Sequence, residues 1–329
     1  MLFVESERTD ARYNLALEQH MFERCGRDEG CLMLWKNHNT IVVGKHQNTL
    51  AEINAEYVRD NEITVVRRLS GGGAVYHDLG NLNYTIITGD QDGGSFDFAR
   101  FCAPVVDALR SLEVPAEISG RNDIVIDGKK ISGSAQYKKD GKIMHHGTLL
   151  FDSDLGVLAD ALNASAEKLQ SNGVASVRSR VTNIKPYLKT EMSMDEFYET
   201  LKQALFARLS LHPYPLSAED QEDVARLRES RYARWEWNYG ASPASAIKKS
   251  KRIDGVGKIE IYLEVATGGT IRDIAFFGDY FGDGQELLKA RLTGARLAED
   301  SLRMALAGID VGECIHGLDE TALLSVLLL

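Results

Sequence analysis

Two Asp-Gly dipeptides, Asp127-Gly128 and Asp140-Gly141, most narrow what this chain can fold into. They split residues 123–151 into DIVI, KISGSAQY and IMHHGTLLF, three runs rich in β-branched and apolar side chains. Asp-Gly is a favoured two-residue hairpin link because both positions can take positive φ and the turn then matches the twist of its strands. An antiparallel meander is expected there. Other β-type runs precede it: CLMLWKN at 31–37, TIVVGKH at 40–46, ITVVRRL at 63–69 and LNYTIIT at 82–88. Helices are expected between and after them. Asp10 can cap one whose Leu15, Leu17, Met21 and Phe22 fall near one face. Phe98, Phe101, Val105, Val106 and Leu109 recur at helical spacing over 97–112, and further helices are expected behind Ser193 and Ser217.

The fold class expected is α/β, mixed α+β, with central sheets flanked by helices. A chain of 329 residues has room for two domains. The aromatic, turn-rich stretch 232–243 and the basic run Lys248–Arg252 mark a boundary, giving units of 1–245 and 246–329. The second unit is expected to hold a hairpin across Gly268-Gly269 and helices near 284–292, 296–306 and 319–328. The opening MLFVESERTD lacks the basic and apolar regions of a signal peptide, and no apolar run approaches the roughly 20 residues of a membrane span. A soluble cytoplasmic protein with no membrane partner is expected. Cys25, Cys31, Cys102 and Cys314 form no CxxC pair and are expected to be buried free thiols. A net charge of −10 counts against a nucleic-acid partner.

The most informative stretch for chemistry is Arg67–Asp78, RRLSGGGAVYHD. Three consecutive glycines let the backbone approach a ligand closely, and their N–H groups can cradle phosphate beside two arginines and a serine. Neither GxxxxGK[ST] nor GxGxxG is satisfied, because Tyr76 stands where the last glycine of the second would be. Alone, the triplet fits a Gly-rich bend with a solvated arginine pair equally well.

In the meander, Lys130, Ser132 and Ser134 alternate and are expected to share one face, with Lys129 turned away. An ammonium beside hydroxyls suits an acyl phosphate, whose developing negative charge it would stabilise. A half-exposed strand with surface lysines is the alternative. His145 and His146 should point to opposite faces, so only one can reach a shared site. Arg121, Lys129, Lys130, Lys138, Lys139 and Lys142 outnumber nearby acids and suggest a local basic rim.

Taken in order, RLSGGGAVYHD (68–78), GRND (120–123), KISGSA (130–135), HHGTL (145–149), VRSRVTNI (177–184) and the Trp235–Pro243 segment resemble the lipoate–protein ligases, relatives of biotin ligases and octanoyltransferases. FFGDYF with a following LTG turn is similar to that family's accessory domain. The resemblance implies a biotin/lipoate ligase-like catalytic domain and a small α/β accessory domain. It implies activation of lipoate by ATP and Mg²⁺ to lipoyl-AMP, then transfer to a lysine of apo lipoyl domains of 2-oxoacid dehydrogenase complexes or of the glycine-cleavage H protein. Carried over by position, Lys130 is the catalytic residue, bridging the lipoyl carbonyl and the phosphate. Arg68, Ser70 and Gly73 would hold the phosphates, and Ala74, Val75, Tyr76 and His77 would line the adenylate, with the Tyr76 backbone close to adenine. Asn122 and Asp123 would place nucleotide and magnesium, with Asp123 as metal ligand; Ser132, Ala135, His146 and Thr148 complete the binding set. Trp35, Val43 and Gly44 would border the lipoyl pocket.

An ATP-independent octanoyl- or lipoyltransferase is the nearest alternative. Such relatives hold the acyl group on a cysteine, and no cysteine lies between Ala103 and Glu313. A non-catalytic lipoate- or carrier-binding protein is disfavoured by the intact Lys130 and glycine loop. Biotin ligase is disfavoured because the GRGRxGR-type loop is missing.

Overall fold

The computed structural model describes residues 1–90, 96–120, 122–162, 180–239, 247–266 and 269–328. Its main sheet has eight strands: β1 (Leu2–Glu5), β2 (Cys31–Trp35), β6 (Asn81–Gly89), β7 (Glu117–Ser119), β8 (Asp123–Ile126), β9 (Lys129–Lys139), β10 (Lys142–Leu150) and the two-residue β11 (His212–Pro213). Their spatial order is β11-β1-β2-β6-β10-β9-β8-β7. A second sheet pairs β3 (Thr40–Val43) in parallel with β4 (Thr64–Arg67) and antiparallel with β5 (Val75–His77). A third, of β12 (Ile247–Ile253), β13 (Gly257–Val265) and β14 (Ile271–Gly278), is antiparallel throughout.

The meander forms as its turns dictate. Asp127 and Gly128 take φ of 49° and 73°, and Asp140 and Gly141 take 53° and 69°. Both links are therefore two-residue turns with paired positive φ, and β8, β9 and β10 run antiparallel in sequence. The helix caps also follow local chemistry. Asp10 accepts from the Arg12 N–H at the head of Ala11–Arg24, and Asp97 accepts from Arg100 N–H ahead of Phe98–Ser111. Ser193 and Ser217 each form a reciprocal capping box, with Glu196 and Asp220 respectively.

Each face of the main sheet is covered. Phe98–Ser111 and Met194–Phe206 bury Phe101, Val105, Leu109, Phe197 and Leu201 against one side, while Ala11–Arg24 packs Leu15, Leu17 and Met21 on the other. The β12–β14 sheet forms its own core with helices Gln285–Leu292, Glu299–Leu306 and Glu320–Leu327. The fold is thus mixed α+β. Gly268, expected in the β13–β14 turn, lies outside the described residues; Gly269 has φ of 83°. No helix among the described residues is long and apolar enough to cross a membrane.

Candidate active site

Arg67 and Arg68, adjacent at the end of β4, have different work. Both are buried, and burial pushes each guanidinium down to about 10, so both stay charged at neutral pH. Arg67 donates to the carbonyls of Gly44, Lys45, Gln47, Trp237 and Asn238 and to Thr49 Oγ1, over 2.7–3.2 Å. It is a framework cation. Arg68 braces the glycine loop: Nη2 donates to Gly71 O at 2.7 Å and Gly73 O at 2.8 Å, and Nη1 to Val42 O at 3.2 Å. The loop runs so close to its neighbours that a Cβ on Gly44 would stand 2.0 Å from Gly72 O.

Beside the loop lies a cavity of about 280 Å³. Leu15, Trp35 and Val42 give it an apolar wall, and Asn122, Asp123 and Lys130 a polar one. The glycine segment contributes Gly72, Gly73, Ala74 and Val75. Arg68, His77, Ala135, His146 and Thr148 also line it. Lys130 Nζ stands 2.7 Å from Asp123 Oδ1, and Asn122 Nδ2 donates to Ser134 O at 2.6 Å.

Several expected residues do not line this cavity. Val43 faces the opposite side of β3, in a core with Ile41 and Ile53; its neighbour Val42 takes the cavity position. Gly44 serves the close approach to Gly72 instead of bordering the pocket. Tyr76 packs its ring with Ile41 and Val43 and donates to Asn39 Oδ1 at 3.1 Å. Ser70 is buried between Arg68 and His146, accepting from Arg68 Nε at 3.0 Å. Ser132 does not share a face with Lys130. A bulge pairs Ile124 with Ser132 but Val125 with Lys130, so the extra residue Ile131 breaks the alternation and drops into the core. Ser132 is then buried and Lys130 lies over Gly133, where an added Cβ would be 2.8 Å from Nζ. Gly133→Ala should therefore displace the ammonium without disturbing the backbone. An ångström of misplacement costs up to roughly 10²-fold in rate. The expected result is a large loss of turnover at nearly unchanged urea midpoint; parental turnover would show that Lys130 needs no fixed place.

The structure adds residues the sequence pattern did not single out. His146 Nδ1 donates to Glu18 Oε1 at 2.8 Å, leaving Nε2 to accept from the Ser70 hydroxyl at 2.6 Å. Thr85 Oγ1 donates to the same Glu18 oxygen at 2.7 Å and accepts from Trp35 Nε1 at 3.0 Å. Glu18 stands one turn beyond Leu15 on the first helix, a buried carboxylate on an apolar face. His145 points the other way, stacked on Phe101, and burial drives its pKa well below the usual histidine range. The two histidines thus share no site, and no cluster of three His, Cys, Asp or Glu side chains suited to a metal occurs among the described residues.

The third sheet reaches the cavity through the segment after β14. Tyr280 O accepts from Gly72 N–H at 3.2 Å, His46 Nε2 donates to Gly282 O at 2.7 Å, and Lys45 pairs with Asp283 at 2.6 Å. Phe281 packs with Phe98 and Ala135, and Asp279, held by Arg252 and the Lys258 N–H, lines the cavity itself. The basic rim is thinner than its sequence suggests. Lys138 pairs with Asp90, Lys142 donates to the carbonyls of Phe22, Glu23 and Cys25, and Arg121 lies outside the described residues. Lys129 and Lys139 are exposed.

Residues 10–206 match the family model for the lipoyl protein ligase A/B catalytic domain, and residues 242–327 match that for the bacterial lipoate protein ligase C-terminus. The lipoate-protein ligase LplJ of Bacillus subtilis is 43% identical over 317 residues, covering 94% of this chain and 95% of its own. Among solved structures, the bipartite lipoate protein ligase of Thermoplasma acidophilum, described with its E2 lipoyl domain, is similar with TM-score 0.63 and 27% identity, over 75% of this chain and 98% of that one. A lipoate-protein ligase A bound with ATP is similar with TM-score 0.62 and 25% identity, over 73% of this chain and 97% of its own.

Proposed function

The chain belongs to the lipoate–protein ligase family, and from that premise we propose how its residues share the reaction. The protein is a lipoate–protein ligase, activating lipoate with ATP and passing the lipoyl group to a lysine of a carrier protein. First, a carboxylate oxygen of lipoate attacks the α-phosphorus of ATP and pyrophosphate leaves, giving lipoyl-AMP. Then the carrier's lysine amine attacks the lipoyl carbonyl, a C–N bond forms, and AMP leaves with the electrons of the broken C–O bond. The amine's proton passes to solvent.

One observation carries the assignment of roles: a single cavity joins the apolar wall of Leu15, Trp35 and Val42 to the ammonium of Lys130. The apolar wall suits an eight-carbon chain, worth about 0.8 kcal/mol per buried CH₂. Lys130 meets the carboxylate and α-phosphate oxygens, whose charge grows during attack. The glycine loop and Arg68 shape the phosphate side, and Ala74, Val75 and His77 the nucleoside side. His146 and Thr148 lie along the acyl chain. Mg²⁺ usually keeps several waters and is held by one or two carboxylates plus substrate phosphates. The cavity offers that kind of donor set, with Asp123 as the carboxylate that would hold the ion, and no cluster of three ligands suited to a resident metal occurs among the described residues. No cysteine lines the cavity, and burial pushes the Cys102 thiol up, which disfavours the thiol-based, ATP-independent transferase.

We take the acceptors to be apo lipoyl domains of 2-oxoacid dehydrogenase complexes and the glycine-cleavage H protein. The four cysteines are buried and free, which fits a reducing compartment, and we assign the enzyme to the cytoplasm. Residues 1–245 form the catalytic unit and 246–329 an accessory unit that governs access. Asp279 brings negative charge to the cavity where phosphates must enter, and Tyr280 O occupies the Gly72 N–H. The accessory unit must therefore shift between the two half-reactions. A chain ending at residue 245 should transfer from supplied lipoyl-AMP yet form it poorly; equal loss of both steps in a folded chain would contradict this. The ligase assignment itself is tested by pyrophosphate release, which must require lipoate and match it mole for mole.

A further inference from the structure

Among the cavity-lining side chains, His77 has a buried ring nitrogen, Nε2, with no hydrogen-bond partner among the described residues. A buried ring nitrogen in a native fold is satisfied by an ordered water or by a ligand, and this one faces the cavity. Whether Nε2 is a donor or an acceptor follows from its neighbours. Asn14 Nδ2 lies 2.9 Å from both Arg8 O and Lys36 O, which can only accept, so that atom is the amide nitrogen. That nitrogen cannot accept, so the Asn37 atom 3.0 Å from it is the amide oxygen, sharing one of its two hydrogens, and the Asn37 amide nitrogen is turned toward His77 Nδ1, 3.1 Å away. His77 Nδ1 therefore accepts, and the ring hydrogen sits on Nε2.

The surroundings keep the ring neutral. His77 is fully buried, and burial first, then the positive charge of Arg68, holds its pKa at about 3. Trp35 meets the ring edge-on with centroids 6.3 Å apart, adding no charge.

We propose that Asn37, backed by Asn14, is a positioning residue that fixes His77 in the neutral Nε2–H tautomer, so that the cavity presents an uncharged donor to an uncharged acceptor atom of the substrates. That acceptor is a ring nitrogen of the nucleotide base or the carbonyl oxygen of the acyl group. The inference rests on the ligase reading of the cavity. A charged imidazolium would instead attract phosphate and carboxylate oxygens indiscriminately, and an Nδ1–H tautomer would present a lone pair to the ligand's own lone pair.

Asn37→Asp tests this at nearly constant shape. The carboxylate still accepts from Asn14, but it also accepts from Nδ1, so the neutral ring loses its Nε2–H. Only the imidazolium, favoured by the new carboxylate despite Arg68, regains it. The variant should raise one KM about tenfold, the loss expected for one buried hydrogen bond. Its kcat/KM should recover as pH falls, a limb the parent lacks. A rise in KM for ATP identifies the base as acceptor; a rise in KM for lipoate identifies the acyl group. If Asn37→Asp does not fold, His77→Phe carries the same KM expectation. Parental KM values and a parental pH profile in the folded variant would overturn the proposal. Failure of the wild-type protein to make lipoyl-AMP would instead sink the ligase reading, so the two failures are separable.

Discussion

Replacing Lys130 by alanine should lower lipoyl-AMP formation by about 10²–10³-fold, the loss typical of removing one preorganised donor to a developing anion, worth roughly 3–4 kcal/mol. The side chain is placed for this by a bulge, not by strand alternation. Ile131 turns into the core, and the Lys130 stem is left lying across Gly133 with its ammonium on Asp123. Lys129, the next residue along, is exposed and outside the cavity. Lys129→Ala should therefore stay close to the parent. Because Lys130 is half-exposed, the alanine variant should fold normally, and its deficit should appear in single-turnover adenylation. Near-parental adenylation by Lys130→Ala, or an equal deficit in Lys129→Ala, would remove Lys130 from its role.

Arg67→Met should cost at least about 3 kcal/mol of stability, since hydrogen bonds from a buried charge are worth roughly 1.5–3 kcal/mol each and their loss strands the acceptors. Five carbonyls and the Thr49 hydroxyl converge on this one guanidinium, from the segment after β3 and from Trp237 and Asn238 far along the chain. No acidic side chain is among these partners, so the side chain acts as a hub of backbone dipoles. Arg67→Lys should recover only part of the loss, because an ammonium has three donors and no planar fork. Urea unfolding followed by circular dichroism reads the effect as a lower midpoint at unchanged slope. A midpoint within experimental error of the parent would show that those carbonyls find water instead.

The residue pattern alone did not separate these two arginines, and the hub role of Arg67 rests on contacts distant in sequence. Features set by near neighbours were legible: the Asp-Gly turns, the Asp10 cap, and the helix starts behind Ser193 and Ser217 each depend on residues within three positions. Which face of a short apolar strand meets a cavity was not. The family resemblance pointed to Val43, yet Val42 lines the cavity, and the three consecutive apolar residues Ile41–Val43 carry no alternation that could have chosen between faces. Ser132 was misplaced for a related reason: a one-residue bulge reverses the parity of everything beyond it, and nothing in KKISGSA marks it. Glu18, Thr85 and Asp279 come from elements distant in sequence, so only the packed chain brings them to His146, Trp35 and the glycine loop.

The central claim is that one cavity uses ATP to turn free lipoate into a lysine amide on another protein. The most direct test is to incubate the enzyme with lipoate and an apo lipoyl domain, with and without MgATP, and weigh the intact carrier. The account predicts a carrier heavier by one lipoyl group, blocked when its target lysine is replaced by arginine, formed with one pyrophosphate per lipoyl-lysine and only when ATP is present. Modification of the carrier without ATP, from lipoate alone or from another acylated carrier, or no modification under any of these conditions, would contradict it.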